Sequence, residues 1–140
     1  MKVVVDTNIF FSATITRNGR LRQALFTNDV EFIAPYFSIV ELFKYKDKIV
    51  KLARQDEAEV LAWLYDILLQ VQYVNEKTLS IESRQAAYDL CKDVDLKDFP
   101  FVALTIELDA LLWTGDNKLK NGLKTKGFKP VFMNYRYHCY

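Results

Sequence analysis

VVVDTNIFFSATI, residues 3–15, places a short apolar run before a single acid and then an amphipathic stretch. Short apolar runs keep alternating with amphipathic stretches to the end of the chain. This pattern is typical of strand-helix-strand units, so it predicts an α/β fold with a central parallel sheet. Five strands are expected, at Val3–Val5, Glu31–Ala34, Val71–Val74, Leu111–Thr114 and Pro130–Met133.

Seven helices are expected between and after these strands, because apolar residues recur there at approximately helical spacing. They are Asn8–Ile15, Leu21–Phe26, Phe37–Ala53, Glu57–Leu69, Ile81–Cys91, Phe101–Leu108 and Lys118–Lys126. The chain has 140 residues with only 4 Gly and 3 Pro, and it contains no linker-like segment. Residues 1–140 are therefore predicted to form one domain.

Composition narrows the classes of protein to which the chain can belong. Nineteen Lys and Arg nearly balance eighteen Asp and Glu, and the net charge is +1. The overall charge therefore does not indicate a nucleic-acid or membrane partner. A chain that is 51% hydrophobic needs no disulfide, and its two cysteines form no C-x-x-C pair. Neither a signal-peptide stretch nor an apolar run of about 18 residues is present. We expect a soluble cytoplasmic protein without a membrane partner.

Acidic residues fall where the predicted strands end. Asp6 directly follows the first strand, and Asp116 follows the fourth. Asp98 opens an apolar helix, and Glu41 lies on the first turns of the helix after the second strand. Ligands of open parallel sheets bind beyond the carboxyl ends of the strands, so the four acids are expected to share one crevice.

Helix capping explains each of these acids separately. An Asp before a helix is ordinarily an N-cap that stabilises the helix by about 1 kcal/mol. Ser38 and Glu41 fit the S-x-x-E capping box. Capping does not explain why the acids fall together at one edge of the sheet, and a shared site remains the alternative.

A shared site of this kind points to a metal ion. Four carboxylates in one crevice repel one another unless a cation compensates their charge. The single histidine, His138, lies in the tail, and carboxylates without His or Cys partners favour Mg²⁺ or Mn²⁺ over zinc. Such an ion activates water and neutralises a phosphodiester, so hydrolysis of nucleic acid is the best-matched chemistry.

Four parts of the sequence resemble the successive motifs of the PIN domain. They are VVVDTNI at residues 3–9, Glu41, DVDLKDFPFVAL at residues 93–104, and LWTGDNKL at residues 112–119. Their order and spacing agree from Val3 to about Met133. The resemblance implies a three-layer α/β/α sandwich and a ribonuclease that depends on Mg²⁺ or Mn²⁺.

The resemblance also implies roles for individual residues. Asp6, Glu41, Asp98 and Asp116 would be the catalytic residues and the metal ligands. Asn8, Thr114 and Asp95 would orient these acids without binding the metal themselves. Asp93, like Asp95, matches an acid that accompanies the middle motif, where it supports the site or simply solvates a loop.

RNA is the partner that the resemblance implies. The family includes toxins of toxin-antitoxin pairs as well as stand-alone nucleases, so an antitoxin protein and a second copy of the chain are further candidate partners. The main rival is a PIN-like module that binds RNA or protein without cleavage. Aspartyl phosphotransfer is disfavoured because Asp6 is followed by Thr7 and Asn8 rather than by a D-x-D pattern.

Five lysines follow Asp116 without an acid among them. They either hold RNA phosphates beside the acidic crevice or form a solvated helix face. These residues are Lys118, Lys120, Lys124, Lys126 and Lys129. A second basic run around Lys44 is interpreted as a solvated face.

Overall fold

A parallel sheet forms the centre of the computed structural model, which describes residues 1–16 and 19–128. Its strands are β1 (Lys2–Val5), β2 (Glu31–Pro35), β3 (Val71–Val74) and β4 (Leu111–Trp113). They lie in the order β3-β2-β1-β4, and every neighbouring pair is parallel. The predicted α/β fold with a parallel sheet is confirmed.

The number of strands differs from the prediction. The described sheet has four strands, not five. The predicted fifth strand, Pro130–Met133, lies outside the described residues. The fourth strand ends at Trp113 rather than at Thr114, because its backbone pairing with β1 ends there, at the Trp113 carbonyl that accepts from the Asp6 N–H.

Eight α-helices surround the sheet in the described part of the chain. They are α1 (Thr7–Ile15), α2 (Arg20–Leu25), α3 (Phe37–Lys44), α4 (Lys46–Ala53), α5 (Glu57–Leu68), α6 (Ile81–Cys91), α7 (Phe99–Glu107) and α8 (Asn117–Thr125). Short 3-10 helices cover Glu76–Thr78 and Leu96–Asp98. Among the described residues, none of these helices has both the length and the apolar character that crossing a bilayer requires.

One predicted helix, Phe37–Ala53, is divided in two. The backbone leaves helical geometry at Tyr45, where φ is −101° and ψ is 8°. The break allows α4 to pack against α1 and α5, while α3 stays beside β2. A pattern of apolar spacing does not reveal this break, because both halves keep one buried residue on the core side, Leu42 and Ile49.

Each face of the sheet is covered by its own set of helices. Side chains alternate between the two faces of a strand, so Val3 and Val5 point to one side and Val4 to the other. The first side packs against α1 to α5, with Phe10 and Ile67 fully buried. The second packs against α6, α7 and α8. This arrangement is a three-layer sandwich.

The strand order determines where a site can form. The chain passes from β1 to β2 to β3 in one direction, and β4 then lies on the opposite side of β1. Beyond the carboxyl ends of β1 and β4, the connections diverge to opposite faces and leave a crevice. Asp6 follows one of these strands, and Asp116 follows the other.

Candidate active site

Asp6 lies at the crevice between the two central strands. Its backbone N–H donates to the carbonyl of Trp113 at 2.9 Å, which continues the pairing of β1 with β4. The Thr114 hydroxyl donates to Oδ2 of Asp6 at 2.6 Å. Only 6% of Asp6 is exposed. Thr114 therefore holds a carboxylate that is largely withdrawn from solvent.

Asp116 begins α8 on the opposite side of the same crevice. Its backbone N–H donates to the Thr114 hydroxyl at 3.1 Å, and its Oδ1 accepts from the Leu119 N–H at 3.1 Å. The capping interpretation is thus confirmed for Asp116. One carboxylate oxygen caps the helix, and the other is free of this role.

Asn8 and Asp95 support the site less directly than predicted. Oδ1 of Asn8 accepts the Gly115 N–H at 3.2 Å, so Asn8 holds the turn after β4 rather than an acid. Oδ1 of Asp95 accepts the Lys97 N–H at 3.0 Å and caps the 3-10 helix Leu96–Asp98. Both residues shape the backbone that carries the acids.

Glu41 is held by a residue that sequence reasoning missed. The Thr7 hydroxyl donates to Oε1 of Glu41 at 2.7 Å. The predicted capping box is not formed, since the Ser38 hydroxyl donates to the carbonyl of Pro35 at 2.8 Å instead. A hydroxyl directly after a candidate catalytic acid is the only signal by which the sequence could have indicated Thr7.

Asp98 lies at the N-terminal end of α7, but its side chain does not cap the helix. Its side chain makes no cap hydrogen bond, and Pro100 occupies the first turn, where a missing N–H costs nothing. Asp98 is 9% exposed, and its Oδ2 is buried without a hydrogen-bond partner among the described residues. A buried carboxylate oxygen left in this way is costly, so the cap interpretation does not explain Asp98.

Electrostatics shows that the predicted acids lie together. Burial is the larger cause and the charges of four acids are the smaller one, and together they raise the pKa of Asp98 to about 7; the four acids are Asp6, Asp95, Asp116 and Glu41. Burial also raises the pKa of Asp6 to about 6, against the Thr114 hydrogen bond and with the help of the Glu41 charge. The charges of the other three acids that the motifs indicated thus all act on Asp98.

Two lysines face this acidic group. Burial raises the pKa of the Glu41 carboxyl, whereas the Thr7 hydrogen bond and then the ammonium groups of Lys44 and Lys97 lower it. Lys97 was not singled out from the sequence, although it directly precedes Asp98, and Lys44 was assigned to a solvated face. Both cations are within electrostatic reach of the site.

Among the described residues, no three His, Cys, Asp or Glu side chains form a group that could hold a metal ion as they stand. The chemistry of the site nevertheless fits a hard divalent cation. Oδ2 of Asp98 is buried and unpartnered, and the charges of the acids around it help to raise the pKa of Asp98. A cation would satisfy both, so the four-acid ligand set stays a prediction that this geometry favours. His138 lies outside the described residues.

The lysines after Asp116 do not act as one group. The Lys126 ammonium donates to the Asp89 carbonyl at 2.9 Å and pairs with Asp93 at 3.0 Å, so it ties α8 to the end of α6. The Lys126 hydrogen bond lowers the pKa of Asp93. Asp93 therefore pairs with a lysine and is not one of the acids whose charges act on Asp98. Lys118 and Lys124 are exposed, and Lys129 lies outside the described residues.

Comparisons with known proteins agree with the fold. Residues 4–135 match the family described as PIN domain. A chain in the crystal structure of VapBC2 from Rickettsia felis, bound to a DNA fragment from their promoter, has a similar fold with a TM-score of 0.61. The likeness covers 96% of this chain and 98% of that chain at 14% sequence identity, so it concerns the fold alone. No curated protein sequence matches the chain.

Proposed function

The chain belongs to the PIN domain family, and on this basis we propose that it is a metal-dependent ribonuclease hydrolysing RNA phosphodiester bonds. The observation that carries the proposal is the buried, unpartnered Oδ2 of Asp98 among four further acids. A protein gains no stability by leaving a carboxylate in this state, and such costs are typical of functional sites.

The acids would bind Mg²⁺ or Mn²⁺, with Asp6, Glu41, Asp98 and Asp116 as ligands. The bound ion would activate water and neutralise charge on the phosphodiester. The chain itself supplies fixed positions for its carboxylates. Thr114 holds Asp6 and Thr7 holds Glu41, so less side-chain freedom remains to be lost when a substrate arrives.

Lys44 and Lys97 would attract the RNA backbone that the acids repel. The charges of both ammonium groups act on Glu41. Contacts from lysine to phosphate oxygens position a nucleic acid without reading its sequence, and they weaken as salt is added. RNA affinity should therefore depend on salt although the net charge of the chain is only +1.

We further propose that the chain is the toxin of a toxin-antitoxin pair and acts in the cytoplasm, where its RNA substrate would be. The fold similarity to a chain of the VapBC2 complex supports an antitoxin protein as its partner. Co-purification with the product of an adjacent gene, and loss of cleavage on adding that product, would support this role. Unchanged cleavage in its presence would exclude that gene product as the antitoxin.

Cleavage of a labelled RNA oligonucleotide tests the ribonuclease proposal. Wild-type protein should cut with Mg²⁺ or Mn²⁺ and stop when EDTA is added. Asp98→Asn should abolish cleavage but retain the helical circular dichroism signal. The matched control is Glu59→Gln, at an exposed acid of α5, and it should cleave as the wild type does. Equal cleavage by wild type and Asp98→Asn would point to a contaminant. RNA binding without cleavage in either metal would support the non-catalytic binding module instead.

A further inference from the structure

A surface cavity of about 450 Å³ lies between α6 and the beginning of α7. Its lining residues are Ile81, Arg84, Gln85, Tyr88 and Phe99. The first four share one face of α6, because their spacing is i, i+3, i+4 and i+7. The volume falls within the range of about 300 to 1,000 Å³ that is usual for ligand pockets.

One lining residue of this cavity is the chain neighbour of a candidate catalytic acid. Phe99 directly follows Asp98, so their Cα atoms are about 3.8 Å apart. The end of the cavity opposite Phe99 points away, since α6 and α7 form an antiparallel pair in which the Ser80 hydroxyl donates to Glu107 at 2.6 Å. The stretch of α6 from Ile81 to Tyr88 is about 10 Å long. The cavity thus leads outward from the acids along one helix.

The lining combines the groups that recognise an unstacked nucleotide. Tyr88 is 47% exposed and Ile81 is 74% exposed, which leaves apolar surface open for a base. Aromatic rings stack on bases, a guanidinium binds phosphate, and an amide reads the edge of a base. Arg84 has no ion-pair partner within the described part of the chain.

The negative charges of the same helix lie off the cavity. Glu82 and Asp89 are not among its lining residues, and Oδ1 of Asp89 accepts from Nε2 of Gln85 at 3.2 Å. The charged residue that the cavity presents is therefore a cation. An anionic strand suits it better than an acidic partner does.

We propose that this cavity binds an unpaired nucleotide of the RNA next to the bond that is cleaved. The proposal rests on the ribonuclease function proposed above. Carboxylates repel the backbone of the strand, so affinity has to come from contacts beside them, and this cavity begins one residue from Asp98. A base enters it only when it is free of a duplex, because paired bases present no open face to stack on Tyr88.

The test measures RNA binding in the Asp98→Asn background, so that the strand stays intact. A fluorescein-labelled single-stranded RNA 12-mer of mixed sequence is titrated and its anisotropy is followed. Tyr88→Ala should weaken binding on the order of 10-fold, and Tyr88→Phe should bind as the parent does. Arg84→Ala should weaken binding and reduce its salt dependence. The matched control is Tyr65→Ala, at a tyrosine of α5 that is 62% exposed and lies across the sheet.

Equal affinity of Tyr88→Ala and its parent would overturn the proposal, as would binding of a matched duplex as tight as that of the single strand. In the cleaving protein, Tyr88→Ala should raise KM more than it lowers kcat. The two proposals fail separately. A wild type that binds RNA through Tyr88 but never cuts contradicts the ribonuclease, whereas a wild type that cuts with Tyr88→Ala unaffected contradicts only the nucleotide site.

Discussion

The Thr7 hydroxyl donates a hydrogen bond of 2.7 Å to Oε1 of Glu41, across a separation of 34 residues. The bond joins the first residue of α1 to the middle of α3. Because Thr7 directly follows Asp6, it holds Glu41 beside the acid whose pKa the Glu41 charge helps to raise. The position of Glu41 thus depends on a neighbour of the first catalytic candidate.

Removing the Thr7 hydroxyl should impair RNA cleavage more than folding. Thr7→Val keeps the shape of the side chain but leaves Glu41 without its donor, and losing such a supporting contact typically lowers metal affinity or activity by about 10- to 100-fold. Thr7→Ser, which restores the donor, should recover most of the activity. Steady-state kinetics and thermal melts are the measurements. Equal kcat for Thr7→Val and wild type at saturating metal would show that this bond does not position Glu41 for cleavage.

A divalent cation should stabilise the wild-type protein through Asp98. At a concentration about 100 times its Kd, an ion that binds only the folded state adds about 2.7 kcal/mol to the free energy of unfolding. Urea titrations with Mn²⁺ and with EDTA measure this difference. Asp98→Asn should lose most of it, while the exposed-acid control Glu59→Gln should keep it. The same increment in Asp98→Asn would place the cation elsewhere.

In the absence of metal, the protein should become less stable as pH rises from about 5 to 8. The folded pKa values of Asp6 and Asp98, about 6 and about 7, exceed the ordinary aspartate pKa of 3.8, so the folded state binds more protons than the unfolded state. Stability therefore decreases as pH rises from about 4 through the folded pKa values, and most of this loss, on the order of a few kcal/mol, falls between about pH 5 and 7.

Urea unfolding in EDTA at pH 5, 6.5 and 8 measures this slope. The double variant Asp6→Asn with Asp98→Asn should flatten it, because the two titrating groups are gone. Saturating Mn²⁺ should flatten it as well, since a bound cation takes over the role of the protons. A metal-free protein that gains stability between pH 5 and 8 would contradict the raised pKa values.

Gly122 should be required for the packing of α8 against the segment before the 3-10 helix. A Cβ at this position would lie 2.6 Å from Cγ2 and 2.8 Å from Cγ1 of Val94. Overpacking of this kind usually costs about 1–3 kcal/mol, which exceeds the gain of about 1 kcal/mol from replacing a helical glycine by alanine. Gly122→Ala should therefore lower the free energy of unfolding.

A double-mutant cycle checks this prediction. In the Val94→Ala background both clashing methyl groups are absent, so Gly122→Ala should be neutral or stabilising. Chemical unfolding of the four proteins gives the coupling energy. Additive effects would mean that Val94 gives way without cost.

Much of the fold could be predicted because the local spacing of apolar residues distinguishes its strands from its helices. The runs around Val4, Ile33 and Leu112 alternate with helical stretches, and the sheet built from them is parallel as expected. The break at Tyr45 could not be predicted in the same way. It depends on α4 packing against α1 and α5, and apolar spacing within one segment carries no information about its neighbours.

The candidate site, too, could be predicted from the sequence only in part. The sequence indicates which acids to expect at the site, since Asp6, Asp98 and Asp116 follow strands or open helices within recognisable motifs. Their state depends on the tertiary structure: Asp116 caps α8, Oδ2 of Asp98 is buried without a partner among the described residues, and Glu41 is held by Thr7. Burial and hydrogen-bond partners arise when β4 is placed beside β1, which brings together residues more than 100 positions apart, as in the bond from Thr114 to Asp6 with its separation of 108.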